Sequence, residues 1–290
     1  MDNRNDIREF LSSRRARIRP EMSGLPVYGG NRRVPGLRRE EVALLAGVSV
    51  DYYTRLERGN LGGVSEGVLD ALARALQLDE AEREHLFDLA RATTSRARRK
   101  AAPQRIRPGL QRLLDSISDP AWVRNWRLDF VAANRLGFAL HSELFADPVR
   151  PVNTARFVFL NPNSHKYFPE WDRSANDIVA ILRTEAGRHP YDRGLSDLVG
   201  ELSTRSADFR TRWAAHNVRL HRTGLKLIHH PVVGDLELNY EAMEFPADPG
   251  LTMFAYSAEP SSPSDDGLKL LASWAATQDQ TDPSVAAEGS

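Results

Sequence analysis

Residues 37–59, L-R-R-E-E-V-A-L-L-A-G-V-S-V-D-Y-Y-T-R-L-E-R-G, restrict the fold of this chain more than any other stretch. Val42, Leu45 and Ala46 stand at i, i+3 and i+4, the spacing of one face of a short helix. Gly47 follows, and a glycine there accepts the positive φ of a tight turn. Ser49 suits an N-cap, because its hydroxyl oxygen can accept an N–H of the next turn. Val48 and Tyr53 occupy the N′ and N4 positions of a hydrophobic staple. Tyr53 and Leu56 then face inward on a second helix that Gly59 stops. Val50, Asp51, Tyr52 and Arg55 are left near its exposed N-terminal half. A helix, a tight turn and a second helix result.

With A-G-V-S followed by L-E-R-G at this spacing, the pattern resembles the helix-turn-helix of the XRE (lambda-repressor-like) family, over roughly residues 5–92. In that family the second helix enters the major groove with its N-terminal residues on base edges. The resemblance therefore implies Ser49, Val50, Asp51, Tyr52 and Arg55 as base-reading residues. Arg39 falls where the family places a phosphate contact, and Arg38 is grouped with it. Glu57 falls where a carboxylate pairs with an arginine of the first helix, here Arg14 or Arg15. Arg38 also stands where many relatives have a capping Thr or Ser; Glu40 and Glu41 still suit the positive end of that helix.

Charge supports a DNA partner through its distribution. The formal net charge is +0, yet residues 1–39 hold ten arginines against four acids. Residues 1–103 hold 19 Lys+Arg against 15 Asp+Glu. A small basic patch on a neutral chain is the footprint of a selective DNA binder rather than of a nucleic-acid coat. With no cysteine, disulfides, thiolate catalysis and Cys-based zinc sites are excluded. No apolar run approaches a membrane span and the N-terminus lacks a signal-peptide core, so a cytoplasmic protein without membrane association is expected.

The 290 residues leave room for two domains. Ile7, Phe10, Leu11 and Ile18 mark a first helix closed by Pro20. The Pro- and Gly-rich residues 20–36 read as a loop whose Arg32 and Arg33 could reach phosphates. Ser65 and Asp79 suit the caps of two further helices, giving five in an all-α lambda-repressor-like DNA-binding domain over residues 1–95. Residues 96–104, polar and basic, read as a linker. Residues 105–278 form an α+β domain. Helices are expected near 110–117, 134–141, 153–160, 170–187, 195–202, 209–216 and 265–277; Ile178, Ile181 and Leu182 fit one buried face. Strands are expected at 121–125 and 128–133. A meander follows, with Leu225, Leu227 and His229 alternating, then Val233 to Met243, then Leu251 to Ala255. Residues 279–290 read as a disordered tail.

Two strands, a helical excursion and a three-strand meander follow the order of a PAS-like antiparallel sheet of about five strands. G-R-H-P-Y-D near 187–192, Phe209-x3-Trp213-x2-His216-x-Val218, and L-I-H-H-P-V-V-G near 227–234 resemble the ligand-binding domain of MmyB-type transcription regulators. That resemblance implies dimerisation and a small, often lipid-like ligand. Trp126, Phe157, Phe159 and Trp213 are candidates for its walls, with Arg183, His216 or His229 for an acid head group.

His216, His221, His229 and His230 lack a zinc-site spacing, and adjacent strand positions point to opposite faces, so no metal is assigned. No nucleophile-elbow, phosphate-loop or dinucleotide motif occurs. The expected protein is a non-enzymatic, homodimeric regulator that binds double-stranded operator DNA. It has no cofactor beyond an effector such as a fatty acid. The alternatives are a second domain that only dimerises or binds a protein, or an enzyme fused to a helix-turn-helix.

Overall fold

The computed structural model describes residues 3–23, 34, 36–94, 106–218 and 222–281. The expectations placed on Arg32 and Arg33, on the linker of residues 96–104 and on His221 lie outside the described residues, as does the tail beyond residue 281. The chain packs as two compact units. One comprises Met1–Lys100 and Val179–Leu220, the other Ala101–Ile178 and His221–Ser290.

The first unit opens with five helices: α1 (Asn3–Arg17), α2 (Arg39–Ala46), α3 (Val50–Glu57), α4 (Glu66–Ala75) and α5 (Glu80–Thr94). Their starts follow local chemistry. The Ser49 Oγ accepts from Tyr52 N–H at 3.1 Å and Ser65 Oγ from Val68 N–H at 3.4 Å. At α5, Asp79 Oδ1 accepts from Glu82 N–H at 2.8 Å, while Glu82 Oε2 accepts from Asp79 N–H at 3.1 Å, a reciprocal box. Arg38 offers no side-chain cap to α2, and Glu41 compensates, its carboxylate accepting the Arg38 N–H at 2.6 Å. Gly47 takes φ 67 in the turn between α2 and α3. Gly59 takes φ 94, and a Cβ there would lie 2.5 Å from the Arg4 carbonyl oxygen. Ile7, Phe10, Leu11, Val42, Tyr53, Leu56, Leu69, Leu72 and Leu86 fill the core.

Later residues complete this unit. The helix α11 (Trp171–Arg188) contains the unit boundary, and α12 (Arg193–Arg205) and α13 (Ala207–Ala214) follow. Rather than presenting one apolar face, α11 is buried at every position from 177 to 184. Val218 joins the core of α1–α5. Leu182, Leu195, Leu198, Leu202 and Phe209 are buried here, and two arginines are buried with them. Arg14 is 2% exposed; it pairs with Glu82 at 3.0 Å and donates to the His216 carbonyl oxygen. Arg183 is 3% exposed, lies 3.7 Å over the Trp213 ring, donates to the Trp213 carbonyl oxygen and stands 3.7 Å from Asp6. Burial lowers the Arg183 pKa to about 10. The same burial, with Arg183 and Arg14 nearby, lowers that of His85 to about 3, so its ring is neutral. Gly187 makes room for that ring, since a Cβ would sit 2.7 Å from it.

In the second unit α6 (Pro108–Asp115) precedes β1 (Ala121–Asn125) and β2 (Phe130–Ala133). Helices α7 (Arg135–Leu140), α8 (Ser142–Phe145), α9 (Thr154–Leu160) and α10 (Ser164–Tyr167) come next. The strands β3 (Thr223–His230), β4 (Gly234–Glu244) and β5 (Leu251–Ser257) and helix α14 (Pro263–Thr281) end the unit. The antiparallel sheet has order β2-β1-β5-β4-β3. Asn134 ties its edge to α7: Oδ1 accepts from Gly137 and Ala121 N–H, and Nδ2 donates to the Ile117 and Asp119 carbonyl oxygens. Leu110 and Leu114 of α6 cover Ala121, Val123, Leu251 and Met253 on the outer face. The reading of β3 requires a correction. Its buried side is that of Ile228 and His230, whereas Leu225 is 36% exposed. Lys226, Ile228 and His230 oppose Leu238, Leu236 and Gly234, so the inward row is shifted by one from the leucines. The helix end also differs from the sequence reading: α14 continues to Thr281, into the expected tail.

Removing Glu82 would leave the Arg14 guanidinium buried without its carboxylate. We expect Glu82→Ala to lower the unfolding free energy by about 3 kcal/mol, the cost typical of breaking a buried pair. Urea unfolding of the full chain checks this.

Candidate nucleic-acid interface and placement of the ligand candidates

The candidate recognition face is built by the short α3 and its cap. Ser49, Val50, Asp51 and Arg55 are exposed and Tyr52 is half-buried, while Tyr53 and Leu56 are sealed beneath them at 0% exposure. The Arg55 guanidinium lies 4.9 Å from the Tyr52 ring centroid. That contact holds a long side chain near one conformation, and reduces the entropy lost when it meets a base. Four of the five candidate base-reading residues are thus exposed, and Tyr52 packs partly against the core.

Behind it sits Glu57, 1% exposed. Arg15, rather than Arg14, is its partner in α1, with Nη2 at 2.7 Å and Nε at 3.1 Å from Oε1. Arg15 also donates to the Leu37 carbonyl oxygen at 2.9 Å. The other oxygen, Oε2, accepts from Arg39 Nε at 2.6 Å. One carboxylate thus joins α1, α2 and α3. Arg39 keeps half of its side chain exposed, at 51%, so its outer nitrogens still face solvent at the head of α2. Arg38 is 39% exposed there and lies 3.4 Å from Glu40. Arg38 and Arg39 stand at the N-terminal end of α2.

Three of the sequence-derived ligand candidates, Arg183, Trp213 and His216, come together in the first unit, with Arg183 over the Trp213 ring and close enough to His216 to lower its pKa. His216 stands 2.9 Å from Glu9, and burial with Arg183 nearby lowers its pKa to about 4. In the second unit, Trp126 lies in the β1–β2 turn under Arg127, and Phe159 packs its edge against Trp171. His229 points to the outer side of the sheet and pairs with Asp235 at 2.5 Å. Phe157 alone of these faces the interior, packed against Tyr167 and Phe168.

What lines the inner face of the sheet is an aromatic group that periodicity did not single out. Trp122 stacks between Phe130, at 4.0 Å, and Phe254, at 5.2 Å. The His141 ring lies edge-on to Trp122, Phe130 and Tyr256. Its position just after α7, where a helix end commonly carries a polar residue, gave no sign of this burial. Lys226 is nearby on β3, with its ammonium 4.5 Å from the Phe168 ring centroid and 2.7 Å from Ser174 Oγ. Burial lowers its pKa to about 8. Among the described residues no group of three or more His, Asp or Glu side chains is placed to hold a metal ion. None of the described helices is long and apolar enough to cross a membrane.

Comparison with known families assigns both halves. Residues 9–86 match the model of a helix-turn-helix domain. Residues 106–271 match the model of the MmyB-like transcription regulator ligand binding domain. No curated protein matches the chain.

The Glu57 network makes the recognition face testable without touching it. Glu57→Gln keeps the shape but removes the charge from two charge-assisted contacts. A loss of about 2 kcal/mol in unfolding free energy is expected. DNA affinity should fall alongside it, as read by fluorescence anisotropy at fixed salt.

Proposed function

Because the chain belongs to the MmyB-like transcription regulators, we propose that it reads a specific operator through α3 as a homodimer, and that its second domain senses a small, largely apolar molecule. The observation that carries the DNA reading is the row of exposed Ser49, Val50, Asp51 and Arg55, with half-buried Tyr52 among them, above a sealed core. Two recognition helices of a dimer would meet half-sites about one helical turn apart. The aromatic inner face of the sheet supports an apolar ligand, because small-molecule sites combine apolar walls with a few placed polar groups. Fatty-acid-like molecules are the class proposed, and no cofactor or catalytic step is. For the ligand to regulate, it must bind the DNA-competent and incompetent arrangements unequally.

A second reading draws on the outer side of β3 and β4. Leu225 and Met243 are 36% and 37% exposed there, which favours a domain that dimerises or binds a protein partner. A sensing domain takes up an apolar probe; a purely associating one does not.

Two substitutions separate base reading from phosphate contact on the operator the protein selects. Arg55→Ala should relax preference at one base position, with a cost of about 1–3 kcal/mol on the preferred sequence. Arg39→Ala should weaken all sequences alike and lower the salt slope by about one. Anisotropy titrations across a set of single-base operator variants and salt concentrations check both. Uniform loss in both variants would contradict this assignment of the recognition face.

A further inference from the structure

The hydrogen bonds around His141 decide which of its ring nitrogens carries the proton. Tyr167 has one hydroxyl proton, and it donates to the Leu140 carbonyl oxygen at 2.8 Å. His141 Nδ1 lies 3.0 Å from the same hydroxyl oxygen, so Nδ1 must be the donor of that bond. The imidazole is neutral, since burial lowers its pKa to about 3 and the Lys226 charge acts in the same direction. Nε2 is therefore a bare acceptor. It is buried, and it has no hydrogen-bond partner among the described residues. The neighbouring Trp122 indole N–H is buried and directed at the Tyr256 hydroxyl. The Trp122 and His141 ring centroids are 5.3 Å apart.

Buried polar atoms are nearly always satisfied, and an unsatisfied one costs stability. Here a bare acceptor stands among aromatic rings, in a ligand-binding domain. We infer that His141 Nε2 receives the hydroxyl proton of an uncharged oxygen group on an otherwise apolar ligand. An alcohol carries such a proton, and so does an un-ionised carboxylic acid. A carboxylate or an ether does not, because neither can donate to Nε2. This inference rests on the ligand-sensing reading and specifies the chemistry of its site.

Phe138, on α7, is 45% exposed, and ring contacts lead from it through Phe145 and Phe130 to Trp122.

The test uses the full chain and three ten-carbon probes: decan-1-ol, its methyl ether and sodium decanoate. Isothermal titration at pH 8 gives their affinities. The alcohol is expected to bind about tenfold more tightly than the ether, the difference of one buried hydrogen bond. His141→Phe should abolish that preference while keeping the ether affinity, and His141→Gln, which restores an acceptor oxygen, should recover part of it. Nitrogen-15 NMR of the wild-type histidines should show one ring with Nδ1 protonated, whose Nε2 resonance moves on adding the alcohol. Equal binding of alcohol and ether would overturn the inference and leave the sensing reading standing. So would decanoate binding tightest and losing that advantage in Lys226→Met, which would assign an anionic head group to the lysine. If none of the three probes binds, both the inference and the sensing of linear apolar molecules fall.

Discussion

The pairing of Glu57 with Arg15 and Arg39 is the contact on which the DNA-binding half depends. A carboxylate at 1% exposure would be costly if left alone; with two guanidiniums bound, its charge is compensated and both oxygens are used. The consequence is geometric. α3 is only eight residues long and could not hold its own orientation. Glu57 fixes its C-terminal end to α1 and α2, Ser49 fixes its start, and Tyr53 and Leu56 anchor its underside. The residues on the opposite side are then presented at a defined angle. Arg39 joins support and surface, with Nε bound inward and half of its side chain outward.

The second half uses a different economy. Its sheet is closed on the outer face by α6 over β1 and β5, and its inner face is aromatic. Asn134 satisfies four backbone groups at once, and His230 is satisfied through Ala139 and the Val232 N–H. Against that pairing, the His141 Nε2 has no partner among the described residues. A donor arriving there would recover a bond that the domain otherwise lacks.

Much of the first unit was legible because its signals are local. Apolar residues at i, i+3 and i+4, Ser or Asp caps and glycines at turns each act within a few positions, and α2 through α5 follow from them. The burial of Arg14 and Arg183 was not legible. Arginine reads as solvated surface, and only the pairing of positions far apart in sequence, such as Arg183 with Asp6, reveals otherwise. Which side of β3 faces inward was not legible for a similar reason. Leu225, Leu227 and His229 alternate as convincingly as Lys226, Ile228 and His230, and the decision falls to Lys226, whose charge is accommodated by Phe168 and Ser174. The ligand candidates followed histidine and arginine near family motifs. The polar atom left without a partner in the aromatic interior is instead the Nε2 of His141.

Selection of duplexes from a random-sequence library by the purified full chain, at near-physiological salt, tests the central claim most directly. A selective regulator acting through two copies of α3 should enrich one two-fold symmetric sequence, its half-sites about one helical turn apart. Enrichment should be lost when Ser49, Val50, Asp51, Tyr52 and Arg55 are replaced together. An unenriched pool, bound only through salt-sensitive charge, would contradict it.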